Sequence, residues 1–595
     1  MKNSKTCLPQ FDKDFLKREK SLIKNRSLYR YNYNLIPTHP VIDEVPNKEY
    51  PKLKWLYLLA KLGIRLLRNS LAVSENTAWS VDRILVPFIF RLKMIGILFT
   101  MLFIKSSTRF FIYAGRYIQR YTKPGKALKL EDYNKLFLKI GIPKLNRDFD
   151  TDENFARMRV AGWNPTVIEG IKKIPNNFPI TDSIFSSVPE FNGDKLSKAL
   201  QESRLFITNY QALSELKNGD QPRQQKHTYA PIALFALTQG KRFLRPIAIQ
   251  CDQNPKEHSL FTPLSDPWAW KMAKAVVNSA DGNHHELIAH LAKTHLFLEP
   301  IIIATYRQFS NRHPIFKLLV PHFYGTIFIN YFARKDLIAP GGGVEHLLSG
   351  TIQSSIEVSL KATRQTGFND SMFPVDLENR KVKNKELLPY YPFRDDGLLI
   401  WELIRNWVKD YVKIYYLTNK ELLNDTELQL WCSELSNYAG GRVNNFGEDG
   451  TGKINSISYL IKALTHIIFT ATASHSSINN PQRDVMIYAP QVPIGLYNKA
   501  PKKKQKYSEE DWLAMLPPLD LASLQLNLGY TLGGLLYKKL GRYPLYWFRD
   551  FKVSYALNKF NDNLKQAEQL IKSRNEGKFP YKGFLPSRIA QSINI

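Results

Sequence analysis

Histidine residues are crowded into one short stretch of the chain. Residues 283–295 (NHHELIAHLAKTH) hold four of the twelve histidines, and His285, His290 and His295 follow one another at intervals of five. On a regular α-helix a step of five residues turns through about 500°, so successive side chains diverge by about 140°. Two of these imidazoles could bind one metal only where the helix widens, as in a π-bulge, a feature often found at functional sites. The pattern differs from the HExxH motif of zinc hydrolases, because His290 follows His285-Glu286 one residue too late.

A second group of polar residues lies in residues 470–480 (TATASHSSINN). His475 and Asn479 are four residues apart, so they share one face of a regular helix. The apolar residues 467–469 just before them indicate that this helix is buried. A single buried histidine is more often a hydrogen-bonded core residue than a metal ligand, but two such groups favour a metal site. Imidazole combined with oxygen ligands suits iron, copper, nickel or zinc, so the residues alone leave the metal open.

At these residues the sequence resembles the lipoxygenase family. Residues 268–300 resemble the family's first iron-ligand helix, and the helix of His475 and Asn479 resembles the second. The chain ends in isoleucine, Ile595, as lipoxygenases characteristically do. The resemblance runs in order from about residue 260 to the end, through IIIATYRQ (301–308), HPIFKLLVPHF (313–323), INYFARKDLI (329–338) and YPFRDDGLLIWELIRNWVKDYVKIYY (391–416).

The resemblance implies one non-haem iron per chain, with manganese the less favoured metal. Carried over position by position, the iron ligands are His290, His295, His475, Asn479 and the C-terminal carboxylate of Ile595. His285 matches a neighbour that does not bind the metal, and Glu286 stands where the family carries Gln or Glu behind the ligands. Gln482 matches a residue that hydrogen-bonds the asparagine ligand. Such partners orient ligands and tune the metal.

The resemblance also implies the reaction. Lipoxygenases convert polyunsaturated fatty acids with a 1,4-cis,cis-pentadiene into hydroperoxides, by hydrogen abstraction at Fe(III)–OH followed by O₂ insertion, with control of position and handedness. The family's alanine or glycine that biases this outcome matches Ala333, and Ile329 and Leu337, four residues to either side, would share its face and line the pocket. Ordinary core packing explains Ile329 and Leu337 equally well. One alternative is a catalytically silent lipid-binding or membrane-scaffolding relative, and the complete ligand set favours the active dioxygenase over it. A member that acts mainly as a hydroperoxide isomerase is a second alternative, which the ligand set leaves open.

The periodicity of the chain predicts a mainly α-helical fold. From residue 266 onward long apolar helical patterns dominate, whereas residues 204–208 and 231–238 read as short strands. We therefore expect a large helical catalytic domain at residues 122–595 and a basic helical extension at residues 1–121. Residues 1–121 lack the alternation of strands, so helices stand in place of the N-terminal β-barrel that many plant and animal members carry. The three cysteines are widely separated and imply no disulfide framework.

The N-terminal part of the chain carries most of its excess charge. Residues 1–130 hold 25 Lys and Arg against eight Asp and Glu, a net +17 of the total +30. Such a segment seeks an anionic surface, and its aromatic and aliphatic content favours a membrane over nucleic acid. The first 20 residues have no apolar run typical of a secretory signal, so we expect a cytoplasmic protein that associates peripherally with membranes.

Two stretches of this segment are candidates for the membrane contact. In residues 54–70, Leu56, Leu59, Leu62 and Leu66 follow helical spacing, and basic residues fall on another face. Residues 86–104 are strongly apolar, but Arg91 and Lys93 lie within them, which favours a helix lying on the membrane over one crossing it. The alternative is that these helices pack on the catalytic domain.

Overall fold

The computed structural model describes residues 6–76, 125–240, 243–577 and 579–595. Over these residues the fold is mainly α-helical with a few short strands, as predicted. The apolar stretch at residues 86–104 lies outside the described residues. The described residues up to 379 contain α1 (Phe15–Leu28), α2 (Leu53–Asn76), α3 (Leu130–Asn134), α4 (Asp152–Ala161), α5 (Asp182–Ser187), α6 (Leu196–Gln201), α7 (Pro267–His284), α8 (Phe297–Gln308), α9 (Pro314–Leu319), α10 (Thr326–Phe332), α11 (Gly343–Leu347), α12 (Ile352–Gln365) and α13 (Phe373–Asn379).

The later part of the chain is also mainly helical. It contains α14 (Pro392–Tyr415), α15 (Asn419–Leu423), α16 (Thr426–Ser436), α17 (Ile457–Phe469), α18 (His475–Pro481), α19 (Glu509–Met515), α20 (Leu519–Leu532) and α21 (Phe551–Asn575). Four segments widen into π-helix, and they are His285–Leu296, Ala333–Leu337, Thr470–Ser474 and Gln482–Met486.

The strands form two antiparallel sheets. The smaller sheet is a pair, β1 (Tyr31–Asn32) and β2 (Val41–Ile42), in which Tyr31 lies opposite Ile42. The larger sheet has five strands in sequence order, namely β3 (Glu169–Gly170), β4 (Leu205–Asn209), β5 (Ile232–Leu237), β6 (Leu244–Gln250) and β7 (Leu260–Phe261). The two strands predicted from the sequence near residues 204–208 and 231–238 are confirmed as β4 and β5.

Two long helical runs cross the core. One joins α7, the π-segment His285–Leu296 and α8 over Pro267–Gln308, and the other joins α17 and α18 with their π-segments over Ile457–Met486. By length and composition alone both could cross a membrane, but 89% and 72% of their most apolar windows are buried inside the protein. Helices that are apolar on all sides belong in the middle of a large core, and these two runs carry both histidine groups.

Local sequence fixes where these runs begin. Asp266 precedes α7, and its carboxylate accepts a hydrogen bond from the Ala269 N–H at 2.9 Å, while Pro267 occupies the first helical position. Ser456 caps α17 in the same way, with its hydroxyl oxygen accepting from the Tyr459 N–H. Each cap satisfies an N–H group that the first turn of a helix leaves without a partner. The register of the histidines relative to the core follows from these starts.

The leucine face of α2 is turned towards the protein. Leu56, Leu59, Leu62 and Leu66 are all buried and join the main hydrophobic core. The indole N–H of Trp55 donates to the carbonyl of Asn594 at 2.7 Å, which ties α2 to the C-terminal tail. The expectation that these leucines meet a membrane is therefore wrong, and the alternative of packing on the catalytic part describes this face. Periodicity showed an apolar face but not what covers it.

Candidate metal centre

Three buried imidazoles meet in the middle of the core. The Nε2 atoms of His290 and His475 are 3.1 Å apart, and the Nε2 atom of His295 is 3.3 Å from each of them. Among the described residues, these three histidines are the one group of histidine, cysteine or acidic side chains whose ligand atoms lie close enough together to hold a metal ion. His290 and His295 come from the first core run and His475 from the second, so the site joins the two runs.

The helix widens where the spacing of five required it. Residues His285–Leu296 form a π-helical segment of 12 residues, in which each turn closes between residues five apart. His290 and His295 therefore project to the same side, which confirms the predicted widening. His475 is the first residue of α18 and follows directly on another π-segment, Thr470–Ser474. Widened helix thus brings all three imidazoles to one point.

The ring nitrogens that face away from the cluster have their own partners. Nδ1 of His295 lies 2.8 Å from Oδ1 of Asn330, and Nδ1 of His290 lies 3.6 Å from a carboxylate oxygen of Glu286. Because Oδ1 of Asn330 accepts a hydrogen bond, Nδ1 of His295 carries the proton and its Nε2 presents a lone pair, and the nearby carboxylate of Glu286 favours the same arrangement in His290. Lone pairs that face one another at 3.1–3.3 Å repel, and a cation between them removes the repulsion. The donor set therefore fits a metal ion.

The local electrostatics keep the imidazoles of His295 and His475 neutral. Burial, reinforced by the neighbouring His290, lowers the pKa of His295 to about 3. Burial also lowers the pKa of His475 well below its ordinary value. Burial raises the pKa of Glu286, but its contacts with His285 and His290 outweigh burial and lower that pKa to about 2. Neutral imidazoles and an ionised carboxylate behind them are the forms that metal binding requires.

His285 belongs to the same π-segment but has its ring held elsewhere. Its Nδ1 lies 3.1 Å from Oε1 of Glu286, and its Nε2 lies 2.9 Å from the carbonyl oxygen of Ile478 in α18. Both nitrogens are thus engaged outside the cluster. The geometry places His285 and Glu286 together as a bridge between the π-segment and α18, directly behind His290.

Asn479 and Gln482 contact each other on the second run. Asn479 lies one helical turn after His475, and its Oδ1 accepts a hydrogen bond from Nε2 of Gln482 at 2.8 Å. Its Nδ2 donates to the carbonyl of Leu532 at 2.8 Å. These two bonds fix the orientation of the carboxamide. The contact expected between Gln482 and the asparagine is present, while the ligand role of Asn479 stays a prediction.

The C-terminal tail is built into the core. Residues 591–594 are buried, and the carbonyl of Ile593 accepts from the Thr326 hydroxyl at 2.9 Å. Gly325, at φ 86°, passes so close that an added Cβ would lie 3.3 Å from Cβ of Asn594. Ile595 is partly buried against the same core. A metal bond from its carboxylate stays a prediction.

A largely apolar cavity adjoins these residues. Leu337 lines it together with Glu286 and Gln482, and its other walls are Gly343, Val344, Leu347, Leu348, Met486, Ile494, Gln525, Leu528, Gly529 and Leu532. Ile329 and Ala333 are half-buried in α10 and at the start of the π-segment Ala333–Leu337. The helix widens at Ala333, which the sequence did not indicate.

Two residues next to the site escaped the sequence analysis. Oδ1 of Asn330 accepts a hydrogen bond from Nδ1 of His295. Glu299 is fully buried in α8, and its carboxylate accepts a hydrogen bond from Nδ2 of Asn330 at 2.8 Å. The signal that could have drawn attention to Glu299 is an acidic residue in an otherwise apolar run, one turn after His295, because a buried carboxylate needs a partner.

The lipoxygenase family model matches residues 119–582. The chain is 36% identical over 495 residues to the linoleate 9/13-lipoxygenase of Pseudomonas aeruginosa, with 80% of this chain and 71% of that protein covered. It is 31% identical over 452 residues to the human polyunsaturated fatty acid lipoxygenase ALOX15B, with 75% and 65% covered. A crystal structure of a lipoxygenase (delta413-417:GS LOX) in complex with arachidonate superposes with a TM-score of 0.84 at 26% identity, covering 100% of this chain and 84% of that one.

The family match extends over well more than half of the chain, and its buried histidine cluster lies inside the matched residues. The chain belongs to the lipoxygenase family, and it is a metal-dependent oxidoreductase with fatty-acid dioxygenase function.

Proposed function

We propose that this lipoxygenase binds one iron and converts polyunsaturated fatty acids with a 1,4-cis,cis-pentadiene into hydroperoxides. The proposed ligands are His290, His295, His475, Asn479 and the carboxylate of Ile595. The observation that carries the proposal is the triangle of buried Nε2 atoms at 3.1–3.3 Å. Imidazoles combined with amide and carboxylate oxygens suit iron, with manganese the less favoured occupant.

In this proposal the metal supplies the redox chemistry of hydrogen abstraction, and the residues around it supply position. Glu286 and Asn330 orient two of the imidazoles through Nδ1, and Gln482 orients Asn479. The apolar side chains of Leu337 and Leu528 would lie along one part of the acyl chain and keep water from it. Ala333 would leave the space through which O₂ reaches one end of the pentadiene.

Metal analysis and oxygen uptake test this proposal. We expect about one iron per purified chain, and O₂ consumption with linoleate or arachidonate accompanied by a conjugated-diene absorbance. Stoichiometric zinc without iron or manganese would contradict the metal assignment. Metal-loaded protein that takes up no O₂ but rearranges added hydroperoxide would identify a hydroperoxide isomerase, and one that does neither would identify a silent lipid-binding relative.

We also propose that α2 mediates peripheral binding to an anionic membrane, through a face other than its leucines. Leu53, Tyr57 and Ile64 are 77%, 65% and 52% exposed, and their steps of four and seven place them on one helix face. Lys61 and Arg65 are exposed beside them. Apolar insertion adds binding that salt does not remove, and each basic residue near an anionic surface is worth about 1 kcal/mol.

Liposome sedimentation with a triple variant tests the membrane proposal. The variant Leu53→Ser, Tyr57→Ser, Ile64→Ser should bind phosphatidylserine vesicles much more weakly than the parent protein while keeping its iron and its turnover of dispersed fatty acid. The matched control changes three exposed apolar residues on another part of the surface, Leu417, Leu423 and Tyr438, to serine. Equal vesicle binding by both triple variants would contradict the proposal.

A further inference from the structure

Glu299 is a buried carboxylate, and both of its oxygens accept hydrogen bonds from neighbouring residues. It lies in the apolar helix α8 with no exposed surface. Nη1 of Arg334 donates to its two oxygens at 2.9 and 3.1 Å, and Nδ2 of Asn330 donates to Oε2 at 2.8 Å. The backbone N–H of Ile42 donates to Oε1 at 2.8 Å. A buried charge is tolerated only with such complete pairing, so these four residues form one unit.

The unit reaches the N-terminal strand pair β1–β2. Besides the N–H bond to Glu299, the carbonyl of Ile42 accepts from Nη2 of Arg334 at 3.3 Å. A second contact fixes the approach to β2, because Nε2 of His39 lies 3.0 Å from the carbonyl oxygen of Leu296, the residue after His295. Val41 and Ile42 have no exposed surface. The strand pair is therefore packed directly on the π-segment and α8.

The unit also reaches the imidazole of His295. Asn330 uses one amide hydrogen for Glu299 and donates to the carbonyl of His295 at 3.1 Å with the other. Its Oδ1 is left to accept from Nδ1 of His295 at 2.8 Å. Because Glu299 can only accept, it fixes which end of the amide faces the ring, and the ring tautomer follows.

We infer that the β1–β2 strand pair, Arg334, Glu299 and Asn330 are positioning elements of the metal centre, which hold His295 with its Nδ1 protonated and its Nε2 aimed at the metal. The N-terminal segment then acts on the reaction from about 250 residues away in sequence, and it is more than a membrane anchor. The inference rests on the proposed metal role of His295.

The test measures metal release from the full-length iron-loaded protein to an excess of chelator, together with the electron paramagnetic resonance spectrum of the ferric form. Asn330→Leu removes the acceptor from Nδ1 at nearly constant volume, and Arg334→Gln removes the charge that pairs with Glu299. We expect both to release iron about 10–100-fold faster, because partners behind metal ligands contribute affinity of that size. We also expect an altered ferric spectrum in each.

Matched controls separate this effect from loss of stability. Arg380→Gln breaks a partly buried pair away from the metal centre, between Arg380 and Asp376, and should leave release and spectrum at the parent values. Ile42→Pro deletes the N–H that donates to Glu299, and it should release iron faster than Glu44→Pro, at an exposed position two residues on. Release from Arg334→Gln or Ile42→Pro no faster than from its control would overturn the inference.

One further variant separates failure of the inference from failure of the proposed function. His295→Ala should lose the iron. If it keeps the iron and its spectrum, the proposed ligand set is wrong and the inference falls with it. If it loses the iron while Asn330→Leu behaves as the parent protein, the ligand set stands and only the positioning role is overturned.

Discussion

The helix pair α14–α21 and the core around the three histidines differ in how their helices are wound. α14 and α21 are regular over 24 and 25 residues. Trp407 of α14 stacks on Phe560 of α21, with ring centroids 5.9 Å apart. Steps of three and four keep side chains on one face of an α-helix, so this pair packs without any change of winding. The buried residues of α21 follow these steps at Val553, Ala556, Phe560, Leu564, Ala567 and Ile571.

The core around the histidines is wound differently. Within the part of the chain that the structure describes, every π-helical segment contains a predicted site residue or ends directly before one. The segments carry His290 and His295, then Ala333 and Leu337, then lead into His475, and finally begin at Gln482. π-Helix makes up well under 1% of residues in ordinary proteins, so its concentration here is not a property of helices in general.

This difference shows where the fold departs from its most favourable local geometry. The π-turn has no packing advantage at α14–α21 and is absent from both helices. At the site it turns a spacing of five into a shared face, which an α-helix cannot do. Winding therefore distinguishes the regular helices of this packed pair from the segments that carry the predicted site residues.

The largest expected effect breaks the site and leaves the regular pair intact. His290→Ala or His475→Ala should remove the metal and abolish O₂ uptake, because each deletes one corner of the Nε2 triangle. His285→Ala, in the same π-segment, should keep much of the metal, since both of its nitrogens are engaged elsewhere. Iron analysis beside far-ultraviolet circular dichroism makes the measurement. Equal iron loss in all three variants would place His285 among the ligands.

The converse change should break the regular pair and spare the site. Trp407→Ala removes a buried indole from the contact with Phe560 and should destabilise the protein by about 3–5 kcal/mol. The iron content per folded chain should stay unchanged. Chemical denaturation measures the first quantity and iron analysis of the native fraction the second. A variant that loses iron in proportion to its stability would show that the two regions are not separate.

The sequence carried the local features of the metal site. The interval of five among His285, His290 and His295 predicted a widened helix, and family resemblance predicted the contact of Gln482 with Asn479. Both signals are contained in short stretches of chain, where spacing along a helix decides direction.

The contacts between distant segments could not be predicted. Asn330 lies 35 residues from His295, and Ile42 lies 257 residues from Glu299. No period within one segment reports what another segment presents to it. The same reason explains the leucine face of α2, whose apolar pattern is identical whether a membrane or a protein core covers it. The π-segment that begins at Ala333 could not be predicted either, because no regularly spaced ligand-type residues accompany it in the sequence.

An acid-stability measurement sharpens the comparison on α17, which is regular up to the π-segment at Thr470. Burial lowers the pKa of His466 to about 3. The unfolded chain therefore binds a proton at this ring near pH 6.5, whereas the folded chain does not. The stability that follows from the neutral ring is complete above pH 6.5 and is lost as the pH falls towards 3.

Replacing that ring with one that does not titrate should remove this loss. His466→Phe keeps an aromatic ring beside Phe297, Phe368 and Trp401. Between pH 7 and pH 5 the parent protein should lose about 2 kcal/mol that the variant keeps. Urea denaturation of both proteins at each pH is the measurement. Parallel stability curves would mean that the His466 ring takes up its proton equally readily in the folded and the unfolded chain, so that burial does not lower its pKa.

The smallest expected effect concerns Ala333, at the start of the widened segment whose other end, Leu337, lines the cavity beside Glu286. Ala333→Gly removes one methyl group, so it should alter neither iron content nor total O₂ uptake by more than a few-fold. If the π-turn aims this residue at the pentadiene, the lost methyl opens O₂ access to another carbon, and the ratio of hydroperoxide isomers should shift. Chiral chromatography of the reduced products makes the measurement, with Ala362→Gly on α12 as a control. An unchanged ratio would mean that the winding at Ala333 serves packing, as steps of three and four do at α14–α21, and that other residues of the cavity direct the oxygen.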